Sequence, residues 1–180
     1  MAWSIDTSHS QIQFAVRHMM ISNVRGRFEN FSGTVDLDEQ KPENSKVDVK
    51  IDVTTINTRD PQRDGHLKSP DFFEAEKYPY VTFVSKQVKQ ADAAHAKIVG
   101  DLTIRNVSKE VVLDVEFNGM AKSPWGTTSA GFSAETKINR KDFGLEWNKA
   151  LETGGVLVGD EITISIELEL VKQPEAVATA

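Results

Sequence analysis

Apolar and polar residues alternate with a period of two over most of this chain, the pattern of strands that bury one face and expose the other. Ile12, Phe14, Val16 and His18 share one face of the first such run, with Gln11, Gln13, Ala15 and Arg17 on the other. Gly33, Val35 and Leu37 alternate with Thr34, Asp36 and Asp38. Val47, Val49, Ile51 and Val53 alternate with Lys46, Asp48, Lys50 and Asp52. The pattern returns in YVTFVSKQV, KIVGDLTIR, EVVLDVEFN, AGFSAETKI and EITISIELEL. With residues 24–37 taken as one long bent strand, the alternation predicts about eight strands. EQKPENS, QADAAHA, NVSKE and KSPWGTT supply turns between them. Only residues 61–75 and 141–151 leave room for short helical segments.

Strands joined in succession by short turns form an antiparallel meander, and closing it into a barrel removes its exposed edges. The predicted fold is therefore all-β, an eight-stranded antiparallel barrel with short helical segments at its ends. Residues 1–171 form one domain in this reading, and 172–180 (KQPEAVATA) a flexible tail without strand pattern. Eight strands enclose an interior that side chains just fill, or that holds one small ligand. The inward Val, Ile, Leu and Phe, with nine Phe, three Trp and two Tyr in all, suit either a filled barrel or a hollow one.

Composition narrows the function. At 180 residues the chain buries a core without staples, and the absence of cysteine excludes disulfides and thiolate-bound metal. A net charge of -6 argues against nucleic-acid binding. No apolar run approaches the roughly 18 residues of a membrane span, so no stable membrane insertion is expected. MAWSIDTSHS has neither the charged nor the apolar region of a secretion leader, which predicts a cytoplasmic protein, or a periplasmic one if a leader was removed.

The four histidines, His9, His18, His66 and His95, show no metal-ligand spacing, so no metal is expected. No Gly-x-Ser-x-Gly elbow or phosphate loop occurs; Gly154-Gly155 reads as a turn. His18 lies on an apolar face, either as a satisfied core histidine or as a polar contact in a pocket. His9 with Ser10 suits a bend. Residues 58–74, TRDPQRDGHLKSPDFFE, break the alternation. Arg59, Asp60, Arg63 and Asp64 are expected to form an ion-pair and hydrogen-bond network that fixes a loop. Ser69 is read as the N-cap of a fresh helix start that carries Phe72 and Phe73 to a dry place. Such a segment would lie across a barrel end, as a lid over a cavity or a cap on a filled core.

WSIDTSHSQIQFAVRHMMISNVRGRFENFSG looks like the opening of the YceI family of bacterial lipocalin-like proteins. INTRDPQRDGHLKSPDFFEAEKYPYVTFVS resembles its central stretch, VGDLTIRNVSKEVVLDV a strand pair, INRKDFGL its Arg-x-Asp-Phe-Gly turn and VGDEITISIELEL its closing strand. The resemblance runs in order over residues 3–170. Asn106 departs from it where a turn Gly is usual, which is tolerable because Asn accepts positive φ. What it implies is a lipocalin-like barrel with a hydrophobic internal tunnel for polyisoprenoid chains, such as quinone tails, or other long amphiphiles, with no catalytic residues and no cofactor. Carried over by position, His18, the Arg63-Asp64-His66 segment, Phe72, Phe73 and the 140–144 turn would shape the pocket and its mouth.

The expected lining is Phe14, Val16, His18, Phe28, Val49, Ile51, Phe83, Ile104, Phe117 and Phe132, with Phe72, Phe73, Trp147 and Leu151 towards the ends. Arg59, Arg63, Asp64, His66, Trp125, Arg140 and Asp142 are expected at the lid or mouth. The expected partner is one amphiphilic lipid, and barrel edges or end loops leave room for a homodimer. Two other functions fit the residues: a filled barrel serving as a stress-related interaction module, and a hydrolase of lipid-like esters or amides using Arg63, Asp64 and His66.

Overall fold

Runs that alternate in sequence become neighbours in space, because a short turn leaves each strand little choice but to pair with the next. The computed structural model describes residues 3–172. Its elements are β1 (Trp3–Ile5), β2 (Gln11–His18), β3 (Ser22–Phe28), β4 (Phe31–Asp36), β5 (Lys46–Asp52), β6 (Ile56–Asn57), the helix α1 (Pro61–Lys68), β7 (Tyr80–Gln90), β8 (His95–Ile104), β9 (Val107–Lys122), β10 (Thr128–Asn139) and β11 (Val158–Lys172). They form one antiparallel sheet of order β4-β5-β7-β8-β9-β10-β11-β2-β3-β6, with β1 paired to β11.

The two ends of that path are halves of one strand pair. β3 runs into β4 through Glu29 and Asn30, and β5 into β6 through a 3-10 turn, Val53–Thr55. β4 pairs with β5 and β3 with β6 on either side of the bend. Asp52 N–H donates to Asn30 O (3.0 Å) and Glu29 N–H to Thr55 O (3.2 Å), carrying the ladder across it. The sheet thus curls on itself into a barrel. Joining the bent segments recovers the eight long strands expected; β1, three residues whose Trp3 pairs with Lys172, is the addition.

A bulge sets the inward face of β7. Phe83 and Val88 are both buried, although five residues apart they should point to opposite faces. The register shifts between Ser85 and Gln87, leaving Lys86 as the extra residue and restoring the inward phase. Lys86 is left outside, 3.1 Å from both Asp101 and Glu110.

Gly26 of β3 lies against Phe14 of the neighbouring strand, whose ring tip occupies the place of a Cβ; Thr58 Cγ2 would stand 2.8 Å from that atom. The absence of a side chain lets the Phe14 ring lie flat against the sheet on its inner side. Gly26→Ala should cost about 1–3 kcal/mol by overpacking, measured as a lower urea midpoint at unchanged slope.

Three local expectations are corrected. Ser69 closes α1 instead of opening a new helix: its N–H and Oγ both donate to His66 O (3.1 and 2.6 Å), and Asp60 caps the other end through the N–H groups of Gln62 and Arg63. Residues 71–77 are turns. In 141–151 only the 3-10 turn Arg140–Phe143 forms, stopped by Gly144 in the left-handed region at φ 81°. The tail expected from 172 lies in residues 173–180 outside the described residues, and Lys172 itself belongs to β11.

Candidate functional site

The inward faces do not meet at the middle of the barrel. They enclose an apolar cavity of about 420 Å3, within the range of small-molecule sites. Phe14, Val16 and His18 of β2, Phe28 of β3, Val49 and Ile51 of β5, Phe83 of β7, Ile104 of β8 and Phe132 of β10 line it. Rows from β9 (Val111, Leu113, Val115) and β11 (Ile162, Ile164, Ile166) complete the wall; the same alternation marks them in the sequence. At the end where β1, β4 and the last residues of β11 meet, Trp3, Val35, Ala130 and Leu170 pack as a separate cluster. Phe117 belongs to that cluster, its ring 5.3 Å from Phe132, and does not reach the cavity.

The opposite end is crossed by two segments. In the first, Arg63, His66 and Leu67 of α1, followed by Phe72 and Phe73, reach the cavity. Phe73 meets Phe28 edge-on (6.1 Å), and Phe28 lies 5.6 Å from Phe14. In the second, Leu145 and Trp147 come down from the 3-10 turn. His66 joins the two: its ring stands edge-on to Trp147 at 4.6 Å and to Phe72 at 5.1 Å, and its Nε2 lies 2.9 Å from Asp71 Oδ2. Arg105 ties them again, donating to Gly144 O (3.1 Å) and Glu74 Oε2 (3.2 Å). Asn106 beside it has φ 64°, the conformation asparagine was expected to accept.

The charged stretch is a network, with a hub that no pattern announced. Thr58, almost fully buried, receives Arg63 at both its hydroxyl (2.9 Å) and its carbonyl (2.7 Å). Asp64 Oδ1 accepts from Thr58 N–H (2.9 Å) and from its hydroxyl (2.5 Å). Ion pairing is secondary, since Arg63 and Asp60 approach only to 3.9 Å. Arg59 has φ 67° and its N–H donates to Asn57 Oδ1, but neither Arg59 nor Asp64 lines the cavity.

Arg140 is the other staple. Only 3% exposed, its guanidinium donates to Gly159 O (2.8 Å), Leu145 O (2.6 Å), Trp147 O (2.9 Å) and Val158 O (3.3 Å). Burial pulls it below the usual arginine range, and Asp160 at 3.6 Å opposes that shift. Arg140 reaches the cavity wall; Asp142 is exposed, and Leu151 sits in the loop beyond. Trp125, expected over an opening, stands 84% exposed at the tip of the β9–β10 hairpin.

Outside the barrel, Asp6, His9 and Glu169 bring possible metal-ligand atoms within 4.8 Å of one another. Asp6 is already engaged, by Ser8 at Oδ1 and by His9 Nδ1 at Oδ2 (2.8 Å). Hydrogen bonds from Ser8 and His9 hold the Asp6 carboxyl below its ordinary range, and the bond to Asp6 raises His9. The His9 contribution is complete below its ordinary value and fades as pH rises through the raised one. That of Asp6 is complete above its ordinary value and fades as pH falls through the lowered one. Proton NMR titration should find His9 above the usual imidazole value, and Asp6→Asn should bring it down towards that value, with Glu169 still raising it.

A curled antiparallel barrel around one apolar cavity, crossed at one end by a helix and a loop, is a lipocalin-like fold. Residues 3–170 match the YceI-like domain, and the chain belongs to that family. A UPF0312 protein of Staphylococcus aureus is 38% identical over 168 residues, 93% of this chain and 95% of that one. BcnA of Burkholderia cenocepacia superposes with a TM-score of 0.80 at 25% identity, covering 92% of this chain and 99% of that one. A polyisoprenoid binding domain from Saccharophagus degradans gives 0.65 at 16% identity over 94% and 98%, a likeness of fold alone.

Proposed function

We propose that this protein holds one long-chain lipid of the polyisoprenoid type, or an amphiphile of similar shape, inside the barrel and carries or stores it without chemical change. The observation that carries this reading is the apolar cavity. Each methylene buried there contributes roughly 0.8 kcal/mol, so about ten buried carbons supply on the order of 8 kcal/mol before the ordering cost of several kcal/mol. Micromolar affinity then needs no polar contact. The S. degradans domain, described as polyisoprenoid binding, shares this architecture.

A non-catalytic role is supported by what the polar groups at the crossed end already do. Arg63 and Asp64 are bound to Thr58, while His66 faces Asp71, so the three do not converge on a common point. The cavity itself argues against a filled barrel serving only as an interaction module. Native mass spectrometry of freshly purified protein, followed by organic extraction, should find one bound species with an isoprenoid or acyl pattern. A ligand-free mass that stays unchanged after incubation with quinones and fatty amides would defeat the proposal.

A further inference from the structure

A lipid held in a closed barrel must enter from somewhere, and free long-chain lipid is scarce in water. The β2–β3 hairpin has the surface for that transfer. Its three-residue turn is Met19-Met20-Ile21, with Met19 and Met20 in the left-handed region (φ 52° and 67°) that side chains rarely adopt. Ile21 N–H closes it on His18 O (3.1 Å). Met19, Met20 and Ile21 are 42%, 54% and 78% exposed. Beside them runs the 150–156 loop, whose Gly155 packs on the Met20 side chain (a Cβ there would stand 3.2 Å from its Sδ) and whose Val156 is 38% exposed. An apolar tip on a strained turn, with no core to serve, gains nothing from water.

Below the tip the charge is inverted relative to the acidic chain. Arg17 and Arg25, exposed on the outer face of the hairpin, share a cleft with Asn23, Asp160 and Glu161. Asp160 is taken by Arg140 (3.6 Å) and Lys141 (3.4 Å), and Glu161 faces Lys137 at 3.9 Å. Among the described residues Arg17 and Arg25 have no ion-pair partner. Behind the tip the apolar surface continues inward, since His18, Leu157 and Val158 line the cavity and Met19 N–H is bonded to Leu157 O (2.8 Å).

We infer that the β2–β3 hairpin is a docking tip for an anionic lipid bilayer: Met19, Met20 and Ile21, with Val156, enter the interface, and Arg17 and Arg25 meet lipid phosphates. The assignment rests on the carrier reading for its purpose, but not for its test. Attachment is shallow and reversible, because three or four apolar side chains and two arginines give far less than a membrane span.

Flotation compares phosphatidylcholine vesicles with vesicles holding about one-third phosphatidylglycerol, to which juxtaposed arginines are attracted. The full chain should float with the anionic vesicles and release in high salt. Met20→Ser/Ile21→Ser should weaken this at least about tenfold, and Arg25→Gln about fivefold. Trp125→Ser, at the far end, should change nothing. Binding of geranylgeraniol in solution should be the same for all of them, and unchanged circular dichroism confirms that the variants fold. The chain has no cysteine, so Ile21→Cys gives a unique site for a polarity-sensitive dye, whose emission should rise on anionic vesicles.

Wild-type flotation that survives Met20→Ser/Ile21→Ser, or is lost with Trp125→Ser, would overturn the docking tip. A protein that binds geranylgeraniol but ignores vesicles would also overturn it and leave the carrier reading standing. Flotation through the tip without geranylgeraniol binding would keep the docking surface and remove the carrier reading.

Discussion

Arg140→Ala should lose about 3–5 kcal/mol of folding stability, the range seen when one member of a buried charged network is deleted. Four backbone carbonyls, from Leu145, Trp147, Val158 and Gly159, accept from this one guanidinium. Removing it strands those of Leu145, Trp147 and Gly159 in a place that water reaches poorly, while Val158 O keeps Asn148 Nδ2 (2.7 Å), and Asp160 loses its nearest buried counter-charge. Arg140→Lys should recover little, because an ammonium cannot span four acceptors spread over two segments. Chemical unfolding measures the loss. Hydrogen exchange should show it concentrated in residues 144–158, which Arg140 fastens to the start of β11. A variant within about 1 kcal/mol of wild type would show that the loop is held by Asn148 and packing alone.

Ala134→Trp should abolish most ligand binding while leaving the barrel intact. Ala134 lines the cavity and lies between Val115 and Ile166, its partners across β9 and β11, both also in the wall. An indole there takes space otherwise open to ligand. Excluding about four methylenes at roughly 0.8 kcal/mol each removes about 3 kcal/mol, or about a hundredfold in affinity. Titration with a fluorescent isoprenoid analogue reads the affinity, and the thermal midpoint reads the fold, expected to hold or rise as empty volume is filled. Full binding by a folded Ala134→Trp would move the ligand out of the barrel.

The barrel could be read from the sequence because its strands are long and mostly half-buried, so period-two alternation survives in each. β1 and β6 could not, since three residues and two are too few to show a period. The bulge at Lys86 was hidden for a related reason: it changes the phase of β7 without changing its composition. The site was legible by face and not by depth. Alternation placed Phe117 and Phe132 on the same inner surface, where they stand opposite each other in the β9–β10 register, but it carries no sign of which of two facing rings the cavity reaches, and only Phe132 lines it. Trp125 misled through its bulk, because a hairpin tip projects beyond the sheet whatever its sequence suggests about covering an end. The anchor Thr58 gave no signal among its charged neighbours; its importance comes from burial, which a lone threonine does not advertise.

The place of β11 in the sheet has a consequence for how the protein is made. Residues 158–172 leave the ribosome after every other described strand, yet they lie between β10 and β2 and also hold β1. Until they leave the ribosome, β2 and β10 each present a bare edge, the kind that invites pairing with another chain. The β4-to-β10 meander can form from local contacts as it emerges, whereas joining β2 to β11 closes a loop of nearly the whole chain and should be the slow step. A chain stopped short of β11 would then be an open sheet with its apolar face uncovered, a species for chaperones and proteases to meet before any lipid does.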